Sequence, residues 1–522
     1  MSSFETFVFL TALSIILVGI AQRVSLSYPI LLVIGGLLLG YIPGLTLLNL
    51  EPNFILVLVL PPILYYAAYT LPHQEFKRHL KEIIGLALGL VLFTTAAIGI
   101  FFKWLFPELP WALAFTFGAI ISPPDAVSAT AILKRFTISE RLLGILEGES
   151  LINDATGLVL YRVGVVALLS GTFSFFDAGF EFVRIATGGI LIGVICGFLF
   201  HLFSSRFFEP VLAVIFTFPI PYLTYLIADR LEVSGVLAVV MCGLIGSRLL
   251  ITKFSSLTRV VGWATWDTLI ILLNCFVFFL IGLQLHEIAE RLSLMTLLTY
   301  VGYGFILTLA AMAIRFFWVF FQYSFLYFQK YTYRGKKQVY NDSMIISWAG
   351  MRGIVSIAAA LSLPYTMLDG TPLPGRDIVI LLSFIVIFFS LIIPGLTFSK
   401  LMRILKIPHT HEQIDTKNIR HELLKVAQEE MSLLKKAKML NEKEHAFLSS
   451  YFNLRHDMLE IVSHQKMITD TLDEARKKIL SRKRSRLIEL WEQEEINDHL
   501  FNLIARELDL EEVYLARAEL ST

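Results

Sequence analysis

The chain has 522 residues, 56% of them hydrophobic and 17% charged, with a formal net charge of +1 and a mean hydropathy of +0.69. That balance excludes a soluble globular protein of this length and marks a polytopic, all-α membrane protein. A net charge near zero gives no ground for a nucleic-acid partner. Residues 409–522 hold 40 of the 87 Asp, Glu, Lys and Arg residues. We therefore expect a transmembrane domain over 1–408 and a helical cytosolic domain over 409–522.

The N-terminus, Met1-Ser2-Ser3-Phe4-Glu5, lacks the basic n-region of a signal peptide, so the first apolar segment reads as a retained span. Thirteen candidate spans follow in chain order: about 4–21, 28–49, 53–71, 82–105, 111–133, 142–170, 182–204, 207–228, 233–251, 266–286, 296–326, 343–364 and 377–400. Each is long enough to cross ~30 Å of hydrocarbon with some tilt. Cys196, Cys242 and Cys275 all fall in apolar segments and read as small buried side chains, with no disulfide framework.

Loop charge fixes the orientation. One alternating set of loops carries 18 Lys and Arg residues, among them Lys77, Arg78, Lys134, Arg141, Arg248 and Arg259; the other set carries 5. The basic set is cytoplasmic. Thirteen spans then place the N-terminus outside and the C-terminal domain in the cytosol, in a cell (plasma) membrane protein. Arg162, Arg315 and Arg352 are left inside spans.

Two spans are interrupted. The fifth contains Ser122-Pro123-Pro124-Asp125, where two prolines remove two N–H donors and crowd the preceding turn. The twelfth contains Gly350-Met351-Arg352-Gly353, a charge between two glycines. If spans 1–6 and 8–13 are six-helix repeats, both breaks fall in the fifth span of a repeat. With span 7 between them the halves are inverted, the arrangement in which broken helices mark the ion site of secondary transporters.

The sixth span carries Glu149-Ser150-Leu151-Ile152-Asn153-Asp154. On a helix Ser150, Asn153, Asp154 and Gly157 share one face, a polar stripe aimed at a bundle interior. An ionisable group at membrane depth is unfavourable by about 2.5–3.5 kcal/mol and is a functional candidate by default. A carboxylate withdrawn from water takes up a proton more readily, and a monovalent cation with oxygen ligands competes for the same place. Ser150, the Asn153 amide oxygen and unwound carbonyls around Ser122–Asp125 can add ligands. Ser150 can equally bond its own helix, and Asn153 can equally fix helix contacts. Arg315 lies deep in span 11 and requires a carboxylate partner, for which Glu149 is the best placed. Asp125 and Arg352 fit either direct ligation or neutralisation of broken helix ends. His201 and His286 read as interfacial.

Pro61-Pro62-Ile63-Leu64, Ser122-Pro123-Pro124-Asp125-Ala126-Val127, Gly148-Glu149-Ser150-Leu151-Ile152-Asn153-Asp154-Ala155 and Gly350-Met351-Arg352-Gly353 occur in that order. The set resembles the monovalent cation/proton antiporter family, in its sodium/proton exchanger (NhaP-like) branch, over about residues 5–405. The resemblance implies that Asp154 is the transported-ion carboxylate and Ser150 a ligand to Na+. Asn153 matches the Asn of an Asn-Asp pair that accompanies electroneutral exchange. Glu149 and Arg315 match a structural ion pair, Asp125 the acid of a Thr-Asp-Pro crossover, and Arg352 the Arg of the second broken helix. It also implies a dimerisation domain, a moving six-helix core and a homodimer. Two departures stand out: Pro124-Asp125-Ala126 replaces Thr-Asp-Pro, and Tyr66 stands where relatives often carry an acid.

The sequence thus points to a secondary antiporter, not an enzyme, exchanging Na+ (or Li+ or K+) for protons, with no cofactor. A K+-selective antiporter and a gated cation channel are the alternatives; an intramembrane enzyme fits less well, because the spans show no metal-binding His-Glu motif. The tail reads as helices over about 417–440, 442–480 and 484–518, with Arg482-Lys483-Arg484-Ser485-Arg486 as a solvated face.

Overall fold

The computed structural model describes residues 12–20, 28–41, 55–125, 129–130, 133, 136, 138–171, 175–207, 209–290, 293–330, 336–407, 417–437, 439–457 and 470–520. Among these residues the chain is helical apart from turns, loops and isolated bridge positions, as at Thr366 and Pro372. Seven helices are long and apolar enough to cross a membrane, and four shorter apolar helices accompany them. This is a multi-pass membrane protein. Span 1 begins, and span 2 ends, outside the described residues, as do Ala126 and Val127.

In chain order the helices are α1 (Tyr28–Gly40), α2 (Leu60–Thr70), the short polar α3 (His73–Arg78), α4 (Leu80–Leu105), α5 (Trp111–Ile121), α6 (Glu140–Ser170), α7 (Phe175–Phe207) and α8 (Pro210–Arg230). Then come α9 (Gly235–Lys253), α10 (Ser256–Glu290), α11 (Leu294–Lys330), α12 (Lys336–Trp348), α13 (Ile354–Leu361) and α14 (Arg376–Ile404). Helix α10 begins ten residues before the expected start of span 10. The early start carries Arg259 inside the helix, where Asp509 neutralises it.

Packing sorts these helices into two groups. In the first, α1 lies against α10, α7 against α9, and α2 against α9. Glycines allow the close crossings: a Cβ on Gly36 or Gly282 would strike the backbone of the opposite helix, and so would one on Gly189 or Gly193. Small residues bring membrane helices together in this way because lipid supplies no hydrophobic drive between them. In the second group α5 packs between α4 and α6, and α11 packs on α12 and α14. Fewer contacts join the groups, mainly α6 to α7, α9 and α2, and α10 to α13 and α14.

Beyond the membrane helices lie α15 (Lys417–Lys436), α16 (Glu442–Asp457), α17 (Asp470–Glu492) and α18 (Asp498–Leu520). The expected break at 481–483 is absent, and α17 runs through the basic cluster. Two of its cations meet acids of α18, Lys483 with Glu511 at 3.4 Å and Arg484 with Asp509 at 2.6 Å, while Arg482 and Arg486 pair with Glu489 of the same helix. The break falls at 493–497, where Glu494 adopts a positive φ of 59° and the Asn497 side chain caps α18 by accepting from the Leu500 N–H at 2.8 Å. Two small apolar cores hold these helices together, one around Met431, Leu448 and Ile479 and one around Leu487, Leu490 and Ile504.

Candidate functional site

Helix α5 stops at Ile121 because Pro123 and Pro124 cannot continue it. Helix α12 stops at Trp348, and the chain is extended or bent through Gly353 before α13 begins. The two unwound segments meet: the Asp125 N–H donates to the Met351 carbonyl at 2.5 Å. Their contact is intimate, since a Cβ at Gly353 would overlap the Asp125 carboxyl group. Gly353→Val is therefore expected to lower stability by about 1–3 kcal/mol through overpacking. Thermal unfolding in detergent checks this, and an unchanged midpoint would contradict the close approach.

Arg352 sits at this junction, 4% exposed. Its Nε donates to the Ile121 carbonyl at 2.6 Å and its backbone N–H to Ser390 Oγ at 3.2 Å. A guanidinium on the last carbonyls of α5 satisfies acceptors that a broken helix leaves open.

Helix α6 passes beside the crossing. Gly157 leaves room for Pro123, whose ring fills the space a Cβ would need. One turn earlier Asn153, fully buried, donates from Nδ2 to the Pro124 carbonyl at 2.9 Å. Its other atom, Oδ1, is buried with no hydrogen-bond partner among the described residues. Such an acceptor is disfavoured unless something completes it. Asp154 is 9% exposed and forms no hydrogen bond or ion pair with the described residues. Asp125 is near enough for its charge to act on Asp154. Ser150 is half-buried one turn before Asp154.

Glu149 points the other way. It is 1% exposed and takes Arg315 in a two-pronged pair, Nη1 to Oε1 at 2.5 Å and Nη2 to Oε2 at 2.9 Å. Arg315 Nε also donates to the Ile346 carbonyl at 3.1 Å, on the last turn of α12. The pair thus joins α6, α11 and α12 behind the site. Arg162 is separate from this group and donates to the Val233 carbonyl at 3.4 Å.

Several polar contacts were not expected from the sequence. Thr95 on α4 donates to Ser122 Oγ at 3.2 Å, bringing a hydroxyl to the break from another helix. Tyr66 is committed to Asp267 on α10 through its hydroxyl, and its ring stacks on Trp266. Asp267, an acid in an apolar helix, was the available clue. His201 is buried, 2.7 Å from the Tyr65 hydroxyl and bonded to the Gly197 carbonyl, so it is a core residue and not interfacial. The side chain of His286 lies outside the described residues.

The chemical content of the site is two acids, one cation, an unfilled amide oxygen and unwound backbone at the meeting point of two broken helices. The transmembrane sodium/hydrogen exchanger family pattern matches residues 9–404. The chain is 33% identical over 440 residues to the uncharacterised Na+/H+ exchanger YjcE of Escherichia coli, with 80% of each chain covered. It is also 33% identical over 378 residues to a sodium, potassium, lithium and rubidium/H+ antiporter of Bacillus pumilus. That match covers 70% of this chain and 56% of the relative's length. The sodium proton antiporter MjNhaP1 from Methanocaldococcus jannaschii shares the fold, with a TM-score of 0.63 at 21% identity, covering 78% of this chain and 99% of that one. With a pattern match through all but the C-terminal helices and a relative aligned over four-fifths of both chains, this chain belongs to the sodium/hydrogen exchanger family.

Proposed function

We propose that the chain exchanges Na+, with Li+ and K+ as further substrates, for protons one for one, with no cofactor, and that Asp154 carries either ion. The observation that supports this most is the state of two neighbouring side chains. Asp154 has no partner among the described residues, and the adjacent Asn153 Oδ1 is buried and unfilled. Together they offer a dehydrated monovalent cation a charge and a neutral oxygen, with the Ser150 hydroxyl as a third ligand. A proton needs the carboxylate alone.

Charge balance supports an electroneutral cycle. Glu149 and Arg315 cancel each other, and Asp125 and Arg352 carry opposite charges at the crossing. The remaining charge on Asp154 is neutralised equally by one Na+ or one proton, so either loaded carrier crosses with the same charge. The empty carrier keeps a bare carboxylate at depth, which holds it on one side.

In this reading the chain crosses a plasma membrane thirteen times, as two inverted six-helix repeats around span 7, with the N-terminus outside and residues 409–522 in the cytosol. The group formed by α4, α5, α6 and α11–α14 moves as the core against α1, α2 and α7–α10, which form the scaffold of a homodimer. Arg352 and Asp125 hold the broken ends, and the Glu149–Arg315 pair braces them.

The test is flux in sealed proteoliposomes with an imposed pH gradient. Adding Na+, Li+ or K+ is expected to move protons outward through a saturable step, unaltered by a clamped membrane potential. The order of the three ions ranks the substrates directly. Cation entry without proton movement would refute exchange and indicate a channel.

A further inference from the structure

The C-terminal helices touch both packing groups. On one side, Asp509 of α18 is fully buried and takes Arg259 of α10, Nη2 at 2.8 Å and Nε at 3.3 Å, while Arg484 of α17 joins the same carboxylate. Arg259 is itself buried and also donates to the Phe254 carbonyl at 2.6 Å. Nearby, Arg506 lies over the Trp263 ring at 4.7 Å. This end is a largely desolvated ion cluster in which two guanidinium groups share the Asp509 carboxylate and Arg484 also takes Glu512 at 3.1 Å, costly to open.

The other end reaches α3, which packs on α6. Helix α3 begins after Pro72, a residue with no side-chain acceptor to cap it. Asp498 supplies that cap from across the molecule: its Oδ2 accepts from the Gln74 N–H at 2.8 Å and the Glu75 N–H at 3.4 Å. Trp491 Nε1 holds the other oxygen at 2.9 Å. Arg78 pairs with Glu494 at 3.0 Å, and Gln74 Nε2 donates to the Trp491 carbonyl. Both Arg78 and Glu494 are largely exposed. This end is the weaker one, because exposed pairs and single caps contribute little each.

We infer that α17 and α18 form a strap between the two helix groups, anchored permanently at Arg259–Asp509 and released at Asp498–α3, so that each release sets the pace of core movement. The inference rests on the proposed movement of one group against the other. A rigid link between the groups stops that movement. Asp498 is buried as Asp509 is, but it is held by N–H donors and flanked by an exposed ion pair, where Asp509 is held by two guanidinium groups, so release occurs at the Asp498 end.

The full-length chain tests this. Asp498→Ala is expected to raise the initial rate of cation-driven proton movement about fivefold, the change that loss of one cap makes to an equilibrium constant. Arg78→Ala with Glu494→Ala, a surface pair, is expected to raise it less. Conversely, cysteines placed at 78 and 494 and joined by a short bismaleimide are expected to abolish exchange. Each single-cysteine protein treated alike should keep it; the native cysteines are buried. Failure of the cross-link to form, or undiminished exchange after it forms, would overturn the strap. If the untreated wild type moves no protons, the exchange reading falls instead. Amide hydrogen exchange then decides the strap: protection over residues 73–78 should drop in Asp498→Ala, and unchanged protection refutes it.

Discussion

Asp154→Asn is expected to abolish cation-driven proton movement entirely while leaving the protein at least as stable as the wild type. The two halves of that expectation have one cause. Asp154 is 9% exposed and has no partner among the described residues, so its charge is held at depth without a compensating bond. Removing the carboxylate removes the proposed ion carrier and, whenever it is ionised, an unfavourable burial of about 2.5–3.5 kcal/mol. An acid that merely held helices together would behave oppositely, because its loss would lower the unfolding temperature. Flux in proteoliposomes and unfolding of the purified variant, measured on one preparation, separate the cases. Residual exchange in a well-folded Asp154→Asn protein would remove Asp154 from the ion path.

The second large effect concerns Arg315. Arg315→Ala leaves Glu149 charged, 1% exposed and without its two-pronged partner, and is expected to destabilise the protein by about 3–5 kcal/mol. Glu149→Ala leaves the guanidinium uncompensated and should be comparably severe. The double variant Glu149→Leu, Arg315→Met should recover most of the loss, because apolar side chains of similar volume often replace a buried pair at little cost. If the double variant is no more stable than either single one, the charges do more than cancel each other. If the pair only braces the site, the double variant also keeps its cation order in the flux assay, with a reduced rate.

What could be read from the sequence follows the range of the forces involved. The breaks at Pro123-Pro124 and around Gly350–Gly353 were legible because proline and glycine act on their own backbone. The demand for a partner to Arg315 was legible because a lone guanidinium in an apolar span is untenable. The meeting of Asp125 with Met351 and Gly353 was not, since it depends on how two distant helices cross. Tyr66 with Asp267, and Thr95 with Ser122, escaped for the same reason. His201 was misread because proximity to a span end says nothing about burial, which Tyr65 and Gly197 decide. In the tail, the basic run around Arg484 read as a solvated face because the acids that match it lie 25 to 28 residues later.

The cap on α3 also bears on how the molecule is made. The donor at Gln74 and the acceptor at Asp498 are 424 residues apart. The candidate spans among the described residues, the last of which ends at Ile404, are all synthesised before residue 498. During that interval the first amides of α3 lack this acceptor. A segment synthesised 424 residues later therefore completes the first turn of α3, and a chain that terminates before residue 498 lacks that cap.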